Sequence, residues 1–160
     1  MAHRSTTSWD MSDTVETPRY ALTNFSVDEV EVFWPHIEAM LDRLPHTWKY
    51  WTKEHIYNSV MESRLQVWGI GSPPKATFIL FTSVDAFPAM KVLTVIWAAG
   101  TYEDEMLPLL DATFTDYARL QGCDEIEIRG RIGWDAKFRS IGFRRESVVL
   151  TRSVRPLTVN

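Results

Sequence analysis

Residues 91–129 read KVLTVIWAAGTYEDEMLPLLDATFTDYARLQGCDEIEIR, and this stretch decides the fold. Its first eight residues are almost continuously apolar and rich in β-branched side chains, the pattern of a strand buried on both faces. Leu107, Leu110, Phe114, Tyr117, Ala118 and Leu120 then recur at helical spacing. Thr101-Tyr102-Glu103-Asp104 has the form of a capping signature, and Pro108 fits a helix only in its first turn. Gly122 supplies the stop, after which residues 124–129 (DEIEIR) alternate between polar and apolar from Glu125 onward. A strand, a helix and a second strand in this order predict a parallel crossover within one sheet.

Working towards the N-terminus, residues 76–84 form a second buried-type run and residues 65–71 an alternating one. Only Ser72-Pro73-Pro74 and residues 85–90, with Pro88, separate the three strands. Connections that short predict an antiparallel meander. Upstream of it, Ser26-Val27-Asp28-Glu29 fits a capping box, in which a serine side chain meets one amide and a glutamate reaches back to another. Val27, Val30, Trp34, Ile37, Leu41 and Leu44 follow at helical spacing; Pro35 predicts a kink or restart there, and Pro45 an end. A second helix is expected over residues 52–64, with Ile56, Val60 and Met61 inward. An aromatic loop, 46–51 (HTWKYW), joins the two helices. Residues 20–25 read as a first strand.

Beyond the crossover, a short helix is expected over residues 133–140, stopped at Gly142, with a last strand over residues 143–152. The organisation is a polar arm (1–18), one domain (19–152) and a tail (153–160). The fold class is α/β, more narrowly α+β: a mixed, mostly antiparallel sheet with helices on both faces.

Composition bounds the function. The 160 residues are 45% hydrophobic and 24% charged, as in ordinary globular domains. No apolar run approaches the roughly 20 residues needed to span a bilayer, and the first residues lack the apolar stretch of a secretory signal. Cys123 is the only cysteine, which excludes an internal disulfide and argues for a reducing cytoplasm. It reads as a small core residue. The net charge of −4 hides a segregation: residues 129–160 hold eight basic side chains against Asp135 and Glu146. Such a basic face either solubilises one side of a sheet or docks phosphate or an acidic protein surface. Seven tryptophans are many for this length, and tryptophan is enriched at interfaces. Interface candidates are therefore Trp9 and Met11 of the arm, Trp48 and Trp51 of the aromatic loop, and Arg131, Arg139 and Arg144 of the basic segment.

Gly130-Arg131-Ile132-Gly133-Trp134, the Gly142-Phe143 pair and the apolar Val148-Val149-Leu150 carry a family resemblance. Together with the element order, they resemble the GCN5-related N-acetyltransferases (GNAT). The G-R-x-G-W form resembles acetyltransferase-like proteins encoded by tailed bacteriophages. The resemblance implies a GNAT fold over residues 20–152 and an acetyl-CoA site in the loop after the fourth strand, at Gly100, Thr101 and Tyr102.

Two departures from the family pattern oppose that activity. The family holds pyrophosphate with R/Q-x-x-G-x-G/A at a helix N-terminus, where amides meet anions. Residues 98–105 instead read AAGTYEDE, with one glycine, no basic residue and three consecutive carboxylates. Those carboxylates suit the helix dipole themselves. The family also places a tyrosine four residues before the glycine of Gly-Phe as general acid; here that residue is Phe138, which has no proton to give.

His3, His36, His46 and His55 lack metal-ligand spacing, and no nucleophile elbow, Walker loop or dinucleotide fingerprint appears. Arg129, Arg131, Lys137 and Arg139 with Trp134 have the character of a nucleic-acid patch, but the acidic whole argues against a dedicated binder. The expectation is a non-catalytic structural or interaction protein, with no catalytic residue, cofactor or metal. The resemblance implies a phage virion-associated component, found in host cytoplasm or virion. Its partners would be further copies of itself or phage structural proteins. The alternative is an acyl-CoA-dependent N-acetyltransferase with an atypical cofactor loop.

Overall fold

Among the described residues, five strands hydrogen-bond in sequence order into one sheet, β1-β2-β3-β4-β5. The computed structural model describes residues 20–44, 50–71, 73–130 and 132–155. The strands are β1 (Leu22–Phe25), β2 (Gln66–Ile70), β3 (Phe78–Ala86), β4 (Lys91–Gly100) and β5 (Glu125–Ile128). The helices are α1 (Val27–Leu41), α2 (Lys53–Met61), α3 (Leu107–Leu120) and α4 (Asp135–Arg139). β1 to β4 pair antiparallel, and β4 pairs with β5 in parallel. The meander and the crossover are both as the sequence predicts.

Each face of the sheet has its own core. Ile79 and Phe81 of β3 point to α1 and α2, where they meet Val30, Ile37, Leu41 and Ile56. Phe78 and Leu80, alternating with them, point to α3 and meet Trp68, Leu93, Leu110 and Phe114. Burial on both faces explains why β3 and β4 read as apolar runs rather than alternating strands. Gly69 is what lets β1 and β2 close on the α1 face. A Cβ there would lie 2.2 Å from Cζ of Phe25, so the Phe25 ring occupies the space of the missing side chain.

The capping box of α1 is made in full: Ser26 Oγ accepts from the Glu29 amide at 3.1 Å, and Glu29 Oε1 accepts from the Ser26 amide at 3.1 Å. Four details differ from expectation. Pro35 neither breaks α1 nor restarts it; the helix runs unbroken over 15 residues and ends at Leu41, with Asp42 as its cap. Thr101 does not cap α3. Its amide donates to the Thr77 carbonyl and extends the β3–β4 ladder, so the helix is entered through a 3-10 turn, Asp104–Met106, capped at Glu103 without a side-chain bond. Leu120 lies exposed rather than on the apolar side of α3. Residues 143–152 form no strand: among the described residues they have no sheet partner, and Val148, Val149 and Leu150 are exposed.

One irregularity shapes the sheet. Phe81 pairs with Trp97 and Thr82 with Val95, leaving Ile96 as an extra residue on β4. Ile96 and Trp97 consequently both pack on the α1–α2 core, which strict alternation would forbid.

Candidate functional site

β4 and β5 run together only from Val92–Glu125 to Val95–Ile128. The last rung is the Arg129 amide donating to the Val95 carbonyl at 3.0 Å. β4 then continues to Gly100 paired with β3 alone, so its other edge is open over residues 96–100. A notch results between the end of β4 and the start of the α4 region.

Aromatic rings stand beside this notch. Tyr102, two residues beyond β4, stacks on Trp134 at 6.2 Å between centroids and 29° between planes. Trp134 stacks on Phe138 at 5.5 Å and 18°, and Phe143 meets Phe138 edge-on at 5.5 Å. Phe78 touches the other end of the row, 5.9 Å from Tyr102. Trp134 and Phe138 are four residues apart, and the turn-and-helix geometry of residues 132–139 sets them on one side. The indole also lies along Gly130, whose missing Cβ would sit 3.5 Å from it. A polar clasp runs beside the row: Lys137 Nζ donates to Asp104 Oδ1 at 2.9 Å and lies 4.6 Å from the Tyr102 ring centroid. Lys137 and Asp104 are both exposed, so this pair adds little stability by itself.

The electrostatics oppose an anion. Glu103, Asp104 and Glu105 line the helix entrance; Tyr20 Oη donates to Glu103, and Lys137 holds Asp104. That hydrogen bond to Asp104 pushes the Lys137 pKa up, fixing its charge on the clasp. The amides of Thr101 and Met106 already donate to Thr77 and Glu103 carbonyls. Gly100 does not make room for a ligand. Its φ of +105° and a Cβ position 2.1 Å from the Thr77 oxygen show that the backbone itself requires glycine.

Tyr102 contributes one defect. Its Oη is buried and has no hydrogen-bond partner among the described residues. Desolvation raises its pKa above the ordinary 10.0, Asp104 adds to the rise, and Lys137 opposes it. An unmade hydrogen bond of this kind costs about 1–3 kcal/mol, while an apolar replacement of the same shape removes the penalty. Tyr102→Phe is therefore expected to leave the stack intact and raise stability at pH 7 by about 1 kcal/mol in urea denaturation. The sign with pH follows. A folded pKa raised above the unfolded one gives stability that is complete below pH 10 and lost as pH rises through the folded value. The wild type should lose stability more steeply than Tyr102→Phe above pH 10; equal slopes would contradict the assignment.

The remaining predicted residues are dispersed. Trp51 packs edge-on against Trp97 at 5.7 Å and beside His55, on the α1–α2 face. Arg139 bridges Asp135 at 3.1 Å, and Arg144 bridges Glu146 at 3.0 Å. Phe138, at the position of the family's general acid, is buried inside the aromatic row. Tyr117, another phenol in the chain, packs on Trp68 instead, 4.9 Å between centroids. Cys123 is half-buried, and its burial raises the thiol pKa. Trp9, Met11, Trp48 and Arg131 lie outside the described residues. Sequence reasoning missed the row itself, although aromatic residues four apart at 134 and 138 were its visible half.

No protein-family model matches the chain. No curated protein matches it either. Solved structures do. An aminoglycoside acetyltransferase from an uncultured soil metagenomic sample, in complex with sisomicin, superposes with a TM-score of 0.61 at 15% identity, covering 86% of this chain and 97% of that one. A predicted acetyltransferase from Clostridium acetobutylicum, solved with acetyl-CoA, gives 0.62 at 7% identity, covering 84% and 96%. A ribosomal-protein-alanine N-acetyltransferase from Brucella melitensis gives 0.57 at 8%, covering 85% and 98%. The fold is GNAT-like. At these identities the likeness concerns the fold and carries no activity with it.

In the GNAT-like frame, residues 98–105 stand where the family's resemblance places its pyrophosphate loop. The residues present do not fit that group. Carboxylates occupy the helix entrance, two of the amides are engaged, and Lys137 is turned to Asp104. Among the described residues no helix is long and apolar enough to cross a membrane.

Proposed function

We propose that this GNAT-like chain is a non-catalytic interaction or structural protein. One observation carries the reading: the Tyr102–Trp134–Phe138 row, clasped by Lys137–Asp104, stands at the end of β4 where the sheet leaves β5. An acyltransferase needs that space for its thioester and needs a group to protonate the departing thiolate. Here stacked aromatic rings crowd that end of the sheet, and Phe138 stands at the acid position. The carboxylates of residues 103–105 add repulsion towards pyrophosphate. The G-R-x-G-W resemblance to acetyltransferase-like proteins of tailed phages supports a virion-associated role, in host cytoplasm or virion, with other protein subunits as partners. The acidic net charge weighs against nucleic acid.

A second reading is an acyl-CoA-dependent N-acyltransferase. The divergence of β4 from β5 and the bulge at Ile96 favour it, because both open the sheet at the same level. Isothermal calorimetry with acetyl-CoA separates the two. The proposal expects no saturable heat with cofactor at about 1 mM. Saturation with a Kd of about 10 µM, together with thiol release in the presence of an amine, would overturn it in favour of the transferase.

A further inference from the structure

β3 is longer than its neighbour β2, and the surplus leaves a short strand edge open. The last rung between the two joins Gln66 to Thr82. β3 continues to Ala86, paired with β4 alone. Just before β2, the amides of Arg64 and Leu65 donate to the Ser59 carbonyl of α2, so the chain has turned away from β3 there. Along an antiparallel ladder, residues alternate between exchanging both hydrogen bonds with one neighbour and facing the other way. The Phe87 amide donates to the Met90 carbonyl at 2.8 Å across the hairpin turn, which fixes that alternation. Ser83 and Asp85 direct their N–H and C=O groups to β4, and Val84 and Ala86 turn theirs to the side that β2 has left. Among the described residues no strand pairs with β3 on that side beyond Thr82.

This edge borders an open cleft of about 730 Å³, at the opposite end of β4 from the notch. Phe25, Leu65, Val67 and Val84 give the cleft apolar surface, and Asp85 gives it a carboxylate. Asp85 Oδ2 accepts from Ser83 Oγ at 3.1 Å and from Thr94 Oγ1 at 2.9 Å, which holds the group in place. Its other oxygen has no hydrogen-bond partner, and the carboxylate no ion pair, among the described residues. The nearby cations are already engaged. Arg64 bridges Glu62 at 2.7 Å, and Lys91, paired opposite Ala86, donates from Nζ to the Gln121 carbonyl at 2.6 Å. The cleft therefore offers an open backbone edge, apolar walls and one negative charge without a counter-ion.

We infer that this cleft takes an extended peptide segment of a partner protein, added as a strand against Val84–Ala86, with a basic side chain beside Asp85 and apolar side chains before and after it. Main-chain hydrogen bonds to Val84 and Ala86 supply the pairing, and the alternation of side chains supplies the selectivity. Asp85 and Val84 lie on opposite sides of the sheet, so the basic and apolar residues of the added strand alternate as well. A second copy is a poor occupant. Laid antiparallel on the same edge, with Val84 opposite Ala86 in both directions, it would set the two copies' Asp85 carboxylates directly opposite each other. Polyanions are opposed by the same charge. The edge is also ordered in advance: the Lys91 amide donates to Asp124 Oδ2 at 2.9 Å and the Asp124 amide to the Lys91 carbonyl at 2.7 Å, pinning the hairpin at its base. The inference does not rest on the proposed lack of catalysis, since an enzyme could carry the same docking edge.

The test is titration of the full chain with the peptide acetyl-Thr-Val-Lys-Val-Thr-amide, followed by amide chemical shifts. The Val84 and Ala86 amides should shift to saturation with a Kd below about 1 mM. The same peptide with glutamate in place of lysine should bind at least roughly tenfold more weakly. Asp85→Asn should weaken the lysine peptide and bring the two peptides to within about twofold of each other. Ala86→Pro removes one outward amide at an exposed position and leaves the bonds to β4 in place. It should abolish saturation while shifts elsewhere in the sheet stay as in the wild type. No saturation by the lysine peptide at about 5 mM, equal binding of both peptides by the wild type, or undiminished binding by Ala86→Pro would each overturn the inference. So would Val84 and Ala86 shifts that follow the protein's own concentration without peptide, because a second copy would then be covering the edge.

Discussion

Gly100→Ala is expected to destabilise the protein by about 4 kcal/mol or more, enough to unfold a large fraction of a domain of ordinary stability. Two costs combine. A φ of +105° lies in a region that residues with a Cβ rarely adopt, and holding alanine there costs about 1–3 kcal/mol. The added carbon would also sit 2.1 Å from the Thr77 oxygen, 2.7 Å from Met40 Cε and 3.0 Å from Phe78 Cα. The methionine tip can move. The Thr77 carbonyl cannot, because it is held by the Thr101 amide at 2.9 Å in the last rung of the hairpin. Relief therefore requires breaking that rung and shifting β3, which carries core residues for both faces. Urea denaturation measures the loss. A change within about 1 kcal/mol would show that the β4 terminus is far more pliable than its geometry implies.

Trp68→Ala should cost about 3–5 kcal/mol, as large truncations in packed cores do. Trp68 is 4% exposed and lies between α3 and the sheet. It meets Phe114 and Tyr117 edge-on at 5.3 and 4.9 Å. Its indole N–H donates to Thr82 Oγ1 at 2.9 Å, and Thr82 in turn donates to Gln66 Oε1 at 2.9 Å. Alanine would leave a cavity and unmake that chain of hydrogen bonds at once. Trp68→Phe separates the contributions: it keeps most of the ring contacts and loses only the donor, so about 1–2 kcal/mol is expected. Thermal unfolding followed at two wavelengths reads both variants. Equal losses for the two would mean that the hydrogen bond, not the packing, dominates.

The strand–helix–strand unit of residues 91–129 was legible because its signals are local. Apolar run, helical spacing, Gly122 and strict alternation each act within a few residues, and all five strands from β1 to β5 fall where those signals put them. What escaped depends on residues distant in sequence. Thr101 has the local look of a cap, but the Thr77 carbonyl, 24 residues earlier, takes its amide. The bulge at Ile96 leaves no trace in a segment where nearly every residue is apolar. Tyr102 and Trp134 are 32 residues apart, and no spacing rule pairs them. Residues 143–152 do carry a strand's composition. Composition specifies a propensity, however, and among the described residues no strand is paired with that segment.

The candidate site shows the same division. Phe138 and the carboxylates of residues 103–105 were readable one residue at a time, as departures from a pattern. That these features converge on one notch, with Trp134 between them, is a property of the fold.

That convergence is also the most exposed point of the account. Proton–proton Overhauser contacts from the Trp134 indole to the Tyr102 and Phe138 rings measure it directly, first in the free protein and then with acetyl-CoA at about 1 mM. Contacts that are present, and unchanged by the thioester, are the predicted result. Rings that lose those contacts as the Gly100, Thr101 and Tyr102 amides shift to saturation would mean the notch opens for a ligand, and the non-catalytic reading would be wrong.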